Sequence, residues 1–276
     1  MRESKRGPST GMRILATDLD GTLIPLDGSA SNFADLVTLA EQLSANNIRI
    51  VFVTGRHFSS VQSAIDEHRL PAPDWIICDV GTTILQQQSG HDFIKSDSYS
   101  DHLATITLGM TVADLHSRLK VVDQLRVQEA EKQGPFKLSY YAKAEQLGEL
   151  CAEIEQLLVE WAAPYSLIHS VDPFNGDGLV DFLPRGVSKA YALNWWSREA
   201  NLAHHEIVYA GDSGNDLAAF VAGYKTIVVG NADRSLCKRV REFHQNEDWS
   251  DRLVLANATA TSGVLEGCRK FGLLDP

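Results

Sequence analysis

The 276 residues are 44% hydrophobic and 22% charged, which is enough apolar side chain for one large core or two modest ones and too much for a disordered chain. Lys and Arg number 25 against 36 Asp and Glu, a net charge of −11, and this surplus works against sequence-independent binding of nucleic acid or an anionic membrane surface. No stretch approaches the roughly 18 apolar residues of a membrane span, and the basic opening at residues 1–11 reads as a loose arm without a signal-peptide core, so the chain is expected in the cytoplasm.

From Met12 onward short β-branched runs alternate with helix-period stretches. Arg13 to Thr17 predicts a strand, Phe33 to Leu43 a helix, Ile48 to Val53 a second strand, Ser59 to His68 a second helix and Trp75 to Cys78 a third strand. Continuous apolar runs bounded by turns are what strands look like when helices cover both faces, so the start reads as βαβαβ in a parallel sheet. From about 82 to 184 the texture changes. Hairpin-like polar material at Gln86 to Gly90 precedes helices at about 111–123 and 145–161 and strands at Lys137–Tyr141, Tyr165–Val171 and Gly178–Leu183. The α/β alternation then returns, with a helix at Ser188–Ala200, a strand at Glu206–Ala210, a helix at Asn215–Ala222, a strand at Lys225–Val229 and a helix at Gly263–Phe271. The expected architecture is α/β, a Rossmann-like doubly wound parallel-sheet core over 12–81 and 185–276, with an α+β cap inserted at 82–184.

Three predicted core strands run into polar loops: Asp18-Leu19-Asp20-Gly21-Thr22, Thr54-Gly55-Arg56 and Gly211-Asp212-Ser213-Gly214-Asn215-Asp216. Ligands of open parallel sheets bind beyond the carboxyl ends of the strands, so these loops are expected to share one pocket. Asp18, Asp20, Asp212 and Asp216 gathered there would repel one another unless a cation intervenes. All-oxygen ligands favour Mg²⁺ over zinc, and Mg²⁺ characteristically takes part of its shell from a substrate phosphate. Thr54 offers a hydroxyl and Gly55 an unobstructed backbone N–H to a phosphoryl oxygen, and Lys189 adds a point charge. Residues two apart on an extended chain point the same way, so Asp18 and Asp20 can both face a phosphorus atom, one as nucleophile and one as proton donor, in a two-step transfer through an aspartyl-phosphate.

Taken together, these loops, with Lys189 after Pro184-Arg185-Gly186, resemble the four ordered motifs of the haloacid-dehalogenase-like hydrolases over about Met12 to Leu274. The insertion is similar to the large α/β cap, of C2 type, in the Cof-type branch. Ser262 to Gly267 and Phe136 to Tyr141 resemble the sucrose-phosphate phosphatases and related sugar-phosphate phosphatases within it. The resemblance implies Asp18 as nucleophile and Mg²⁺ ligand, and Asp20 as general acid/base lending its carbonyl to the metal. It implies Thr54 and Gly55 on the phosphoryl group with Lys189 offsetting its charge. It also implies Asp212 completing the metal site, Asn215 touching phosphate, and Asp216 supporting Lys189 or the metal's waters. The substrate so implied is a small sugar phosphate.

Plainer readings stand beside these. The loop at 211–216 also reads as a helix cap with Ser213 at the N-cap and Asp216 three residues on. Lys137, Tyr140 and Arg185 would grip sugar hydroxyls or a second anion, yet an aromatic run in a strand is equally a core feature. Cys78, Cys151, Cys237 and Cys268 stand far apart and read as free thiols, and the histidines lack ligand spacing. Phosphotransfer between sugars and a non-catalytic phosphosugar sensor are the rival functions; the second is disfavoured by intact Asp18, Asp20, Lys189 and Asp212.

Overall fold

The computed structural model describes residues 13–26, 28–88, 92–172 and 175–275, so the arm expected at 1–11 lies outside the described residues. In chain order the elements are β1 (Ile14–Thr17), α1 (Ala30–Ala45), β2 (Arg49–Val53), α2 (Phe58–His68), β3 (Trp75–Cys78), β4 (Thr83–Gln87), β5 (Phe93–Lys95), α3 (Asp97–Thr107), α4 (Val112–Leu119) and β6 (Arg126–Val127). They continue with β7 (Leu138–Ala142), α5 (Leu147–Glu160), β8 (Tyr165–Val171), β9 (Gly178–Pro184), α6 (Lys189–Glu199), β10 (Ile207–Gly211), α7 (Leu217–Phe220), β11 (Lys225–Val228), α8 (Arg234–Asn246), β12 (Leu253–Leu255) and α9 (Ala260–Lys270).

The chain divides into two compact units, one made of the described residues up to Val53, Ile65–Asp74 and those from Asn194 on, the other of Thr54–Ala64 and Trp75–Leu193. In the first unit β12, β11, β10, β1 and β2 lie side by side in that order, all parallel. Ile14 pairs with both Ile207 and Arg49, so β1 is the inner strand between β10 and β2. Every residue of β1 and β10 is buried, which is why those segments read as unbroken apolar runs rather than alternating ones. Helix α1 buries Leu36, Leu39 and Leu43 at helical spacing and packs on α9.

The second unit contains the whole of segment 82–184. Its strands β3, β4 and β5 pair antiparallel, and β6, β7, β9 and β8 form a separate antiparallel sheet. One face of that sheet, carrying Leu138, Tyr140, Ala142, Val180 and Phe182, packs with Leu115 and Leu119 of α4 and Leu150, Ile154 and Leu158 of α5. The period of two then puts Ser139, Tyr141 and Asp181 on the opposite face. Tyr140 is therefore a core residue, its hydroxyl 2.6 Å from His116 Nδ1.

Two local expectations change. Residues 215–222 do not form one helix: a 3₁₀ turn at Gly214–Asp216 leads into the single turn α7. Asp216 Oδ2 accepts from the Ser213 N–H at 3.2 Å, the return bond of the cap that the loop's spacing predicts. Helices α3 and α8 fall where no helix was expected; each starts at a side-chain cap, Ser96 accepting from Tyr99 N–H and Asp233 accepting from Ser235 N–H. Among the described residues no helix is long and apolar enough to cross a membrane.

Candidate active site

Strand β1 delivers Asp18 and its parallel neighbour β10 delivers Asp212, each at a carboxyl end, and this pairing brings distant parts of the chain together. Asp18 N–H donates to Ala210 O at 2.9 Å, which extends the ladder by one residue and fixes Asp18 beside the end of β10. Asp18, Asp212 and Asp216 each present a carboxylate oxygen within 4.8 Å of the others. Asp18 and Asp216 are buried and Asp212 is half-buried. Asp20, also half-buried, is not one of the three, and its backbone instead bridges to Ile24.

Asp216 is turned inward by its partners. The Tyr209 hydroxyl donates to Asp216 Oδ1 at 2.6 Å, and the N–H groups of Asp212 and Ser213 donate to Oδ2 at 3.3 and 3.2 Å. Burial, and then the charges of Asp216 and Asp18, push the Tyr209 phenol well up, so it stays protonated and serves as a donor. Asp212 accepts from Thr22 Oγ1 at 3.3 Å and from Asn231 Nδ2 at 3.3 Å. Asn231 Nδ2 also donates to Gly21 O, and its Oδ1 accepts from Ala260 N–H, so this one side chain ties the first loop, the last loop and α9 together. Sequence reasoning missed Asn231 and Tyr209. The position of Asn231 just after β11, at the same sheet edge as the other loops, was the available signal.

Three acidic groups this close, two of them buried, repel one another, and a cation among them would offset that repulsion. The set offers hard oxygen donors and no sulfur or imidazole, and it fits a divalent ion of the Mg²⁺ kind.

The second unit holds Thr54, Gly55, Lys137, Arg185 and Lys189 of the expected residues. Thr54 is buried, its N–H bonded to Ile77 O at 2.8 Å and its Oγ1 accepting from Arg56 N–H at 3.2 Å, which makes a tight turn at Thr54-Gly55-Arg56. Lys189 is 1% exposed at the first position of α6. The Lys137 side chain is 6% exposed, with its Nζ 3.8 Å from Asp181 Oδ1 and 4.0 Å from Asp79 Oδ1. Arg185 is committed to the backbone, donating to Ala163 O. In the first unit Asn215 is exposed, and its Oδ1 accepts from Ser213 Oγ at 3.0 Å.

Residues 12–272 match the family model described as sucrose-6F-phosphate phosphohydrolase. The chain belongs to that family of haloacid-dehalogenase-like hydrolases. It is 30% identical to mannosylfructose-phosphate phosphatase of Agrobacterium fabrum over 95% of this chain and 98% of that one. It is 34% identical to a protein of Nitrosococcus oceani described as an HAD-like hydrolase, over 94% of this chain and 71% of that one. The sucrose-phosphatase structure from Synechocystis sp. PCC6803, solved with sucrose and phosphate, shares the fold at a TM-score of 0.73 and 24% identity, covering 95% of this chain and 98% of that one. Family membership places the protein among the phosphoric monoester hydrolases.

Proposed function

We propose that this family member hydrolyses the phosphate ester of a small sugar, sucrose-6-phosphate or a related glycosyl phosphate, through an aspartyl-phosphate on Asp18. The observation that carries the reading is the carboxylate trio Asp18, Asp212 and Asp216 within 4.8 Å, in a chain matched to this family along nearly its whole length.

Asp18, Asp212 and Asp216, with the Asp20 carbonyl, would hold Mg²⁺, which when bound neutralises charge on the phosphoryl oxygens and keeps its carboxylate ligands ionised. Asp18 attacks phosphorus, forming an acyl–phosphate bond as the bond to the sugar oxygen breaks. Asp20, two residues on, gives its proton to the departing alkoxide and then takes one from the water that attacks the aspartyl-phosphate. Inorganic phosphate leaves and Asp18 is restored. Thr54 Oγ1–H and the Gly55 N–H donate to phosphoryl oxygens, Asn215 adds a contact and Lys189 offsets the charge. Segment 82–184 acts as the cap, with Lys137 gripping the sugar and bulk water kept from the reacting centre.

The test is a screen for inorganic phosphate release over sugar phosphates, including sucrose-6-phosphate and glycosylglycerate phosphates, with Mg²⁺ and with a chelator. Mg²⁺-dependent release from a phosphorylated disaccharide or glycoside is expected. Release from no sugar phosphate, or undiminished release in chelator, overturns the reading.

A further inference from the structure

Three consecutive residues after β3, namely Asp79, Val80 and Gly81, have φ of 53°, 59° and 95°. A β-branched residue such as Val80 is strongly disfavoured there and persists only where its surroundings over-determine it. Those surroundings belong to the proposed phosphate-binding groups. Asp79 N–H donates to Arg56 O at 2.8 Å and Val80 N–H to Thr54 O at 3.2 Å, so the left-handed turn is bonded to both ends of Thr54-Gly55-Arg56. Gly81 lies against the start of α6, where a β-carbon would sit 2.3 Å from Ser188 O and 2.9 Å from the Lys189 nitrogen. Helix α3 secures this arrangement: Tyr99 Oη–H donates to Gly81 O at 2.7 Å, and His102 Nε2 is 2.7 Å from the hydroxyl of Tyr191 in α6.

The Asp79 side chain reaches Lys137. That ammonium, on a side chain more than nine-tenths buried, has Asp79 Oδ1 at 4.0 Å and Asp181 Oδ1 at 3.8 Å, both beyond hydrogen-bond distance. Asp181 is itself held by the Ser139 hydroxyl from the paired position on β7. A Lys ammonium has three donors, and with both carboxylates beyond hydrogen-bond distance those donors suit groups that both accept and donate. Sugar hydroxyls are such groups: each can accept from the ammonium and donate to a carboxylate.

We propose that Asp79 is a positioning residue that sets substrate specificity. Its backbone holds the Thr54–Arg56 turn while its carboxylate, with that of Asp181, holds the Lys137 ammonium ready for sugar hydroxyls. Phosphate grip and sugar recognition are thereby tied through one residue. This rests on the sugar-phosphatase reading above.

The test compares kcat/KM for the best sugar phosphate of the screen with kcat/KM for p-nitrophenyl phosphate, which carries no sugar. Asp79→Asn keeps a residue type that tolerates positive φ while removing the charge. The sugar phosphate is expected to show a KM raised about tenfold or more, with the ratio of the two kcat/KM values falling by a similar factor. Asp181→Asn, outside the left-handed turn, is expected to shift the ratio in the same direction, and the double variant to fall short of the product of the two effects. It carries the test if Asp79→Asn does not fold. Parallel losses on both substrates, or an unchanged ratio, overturn the proposal alone. A wild-type protein that cleaves p-nitrophenyl phosphate and no sugar phosphate overturns the sugar-phosphatase reading, and the proposal with it.

Discussion

The carboxylate of Asp212 lies directly over Gly21. A β-carbon on Gly21 would fall 2.3 Å from Asp212 Oδ2 and 2.9 Å from its Cγ, and Gly21 also has φ of 76°. The glycine of the first loop is thus the space in which an acidic residue of the last loop sits. Gly21→Ala is expected to cost about 1–3 kcal/mol through the strained φ and the displaced carboxylate. Phosphate release should fall at least about tenfold, a shift of roughly 1.4 kcal/mol in the barrier. Urea unfolding and initial rates at saturating Mg²⁺ check both; a variant as stable and active as the parent would show that the carboxylate has other room.

Replacing the nucleophile separates chemistry from folding. Asp18→Asn substitutes a carboxamide that does not attack phosphorus, and phosphate release should drop by at least about 10³-fold. An unchanged far-ultraviolet circular dichroism spectrum is expected alongside. Retained turnover would refute the covalent route.

Asp20 acts in both halves of the proposed cycle, so its loss has a kinetic signature of its own. Asp20→Asn is expected to slow turnover by about 10²–10⁴-fold. With an activated leaving group that needs no proton, acid-quenched samples should contain protein-bound phosphate. A rate equal to the parent's would remove Asp20 from its role.

Tyr209 is wholly buried and donates to the buried carboxylate of Asp216. Tyr209→Phe keeps the ring and leaves that carboxylate one donor short, at a cost of about 1.5–3 kcal/mol in urea unfolding. Because Asp216 is one of the proposed metal ligands, the Mg²⁺ concentration giving half-maximal rate should rise about tenfold or more, as when the hydrogen-bond partner of a ligand is removed. An unaltered Mg²⁺ dependence would mean that Asp216 does not hold the ion.

The second unit has a core of its own, in which Ile154 of α5 is fully buried. Ile154→Ala is expected to destabilise that unit by about 2–5 kcal/mol, from lost burial and the cavity left behind. If the two units unfold in separate steps, only one transition in a denaturant titration should move.

Much of the fold is legible locally. Buried strands such as Ile14–Thr17 and Ile207–Gly211 show as apolar runs, and α1 and α5 show their buried leucines at helical spacing, because these periods belong to the backbone itself. Helices α3 and α8 escaped because their buried apolar residues are few, Tyr99 and Leu103 in one, Leu236 and Val240 in the other. The stretch from 215 to 222 looked like one helix because its residues suit one. What splits it is Asp216, whose carboxylate is drawn inward by the loop N–H groups, as the capping spacing predicts, and by the Tyr209 hydroxyl of β10, a contact that this spacing does not carry.

By itself the amino-acid sequence determined the order and kind of most elements, the family, and the identity of the acidic and hydroxyl-bearing loops, since all of these are written in short windows of chain. Only the tertiary structure decided that Asp18, Asp212 and Asp216 crowd within 4.8 Å, that Asn231 and Tyr209 hold them, and that a left-handed turn at Asp79 reaches both the Thr54 loop and Lys137. The reason is that β10 lies beside β1, which puts Thr22 and Asp212 in contact across 190 positions of chain. Strand order is settled by how buried faces pack, and no local period carries it.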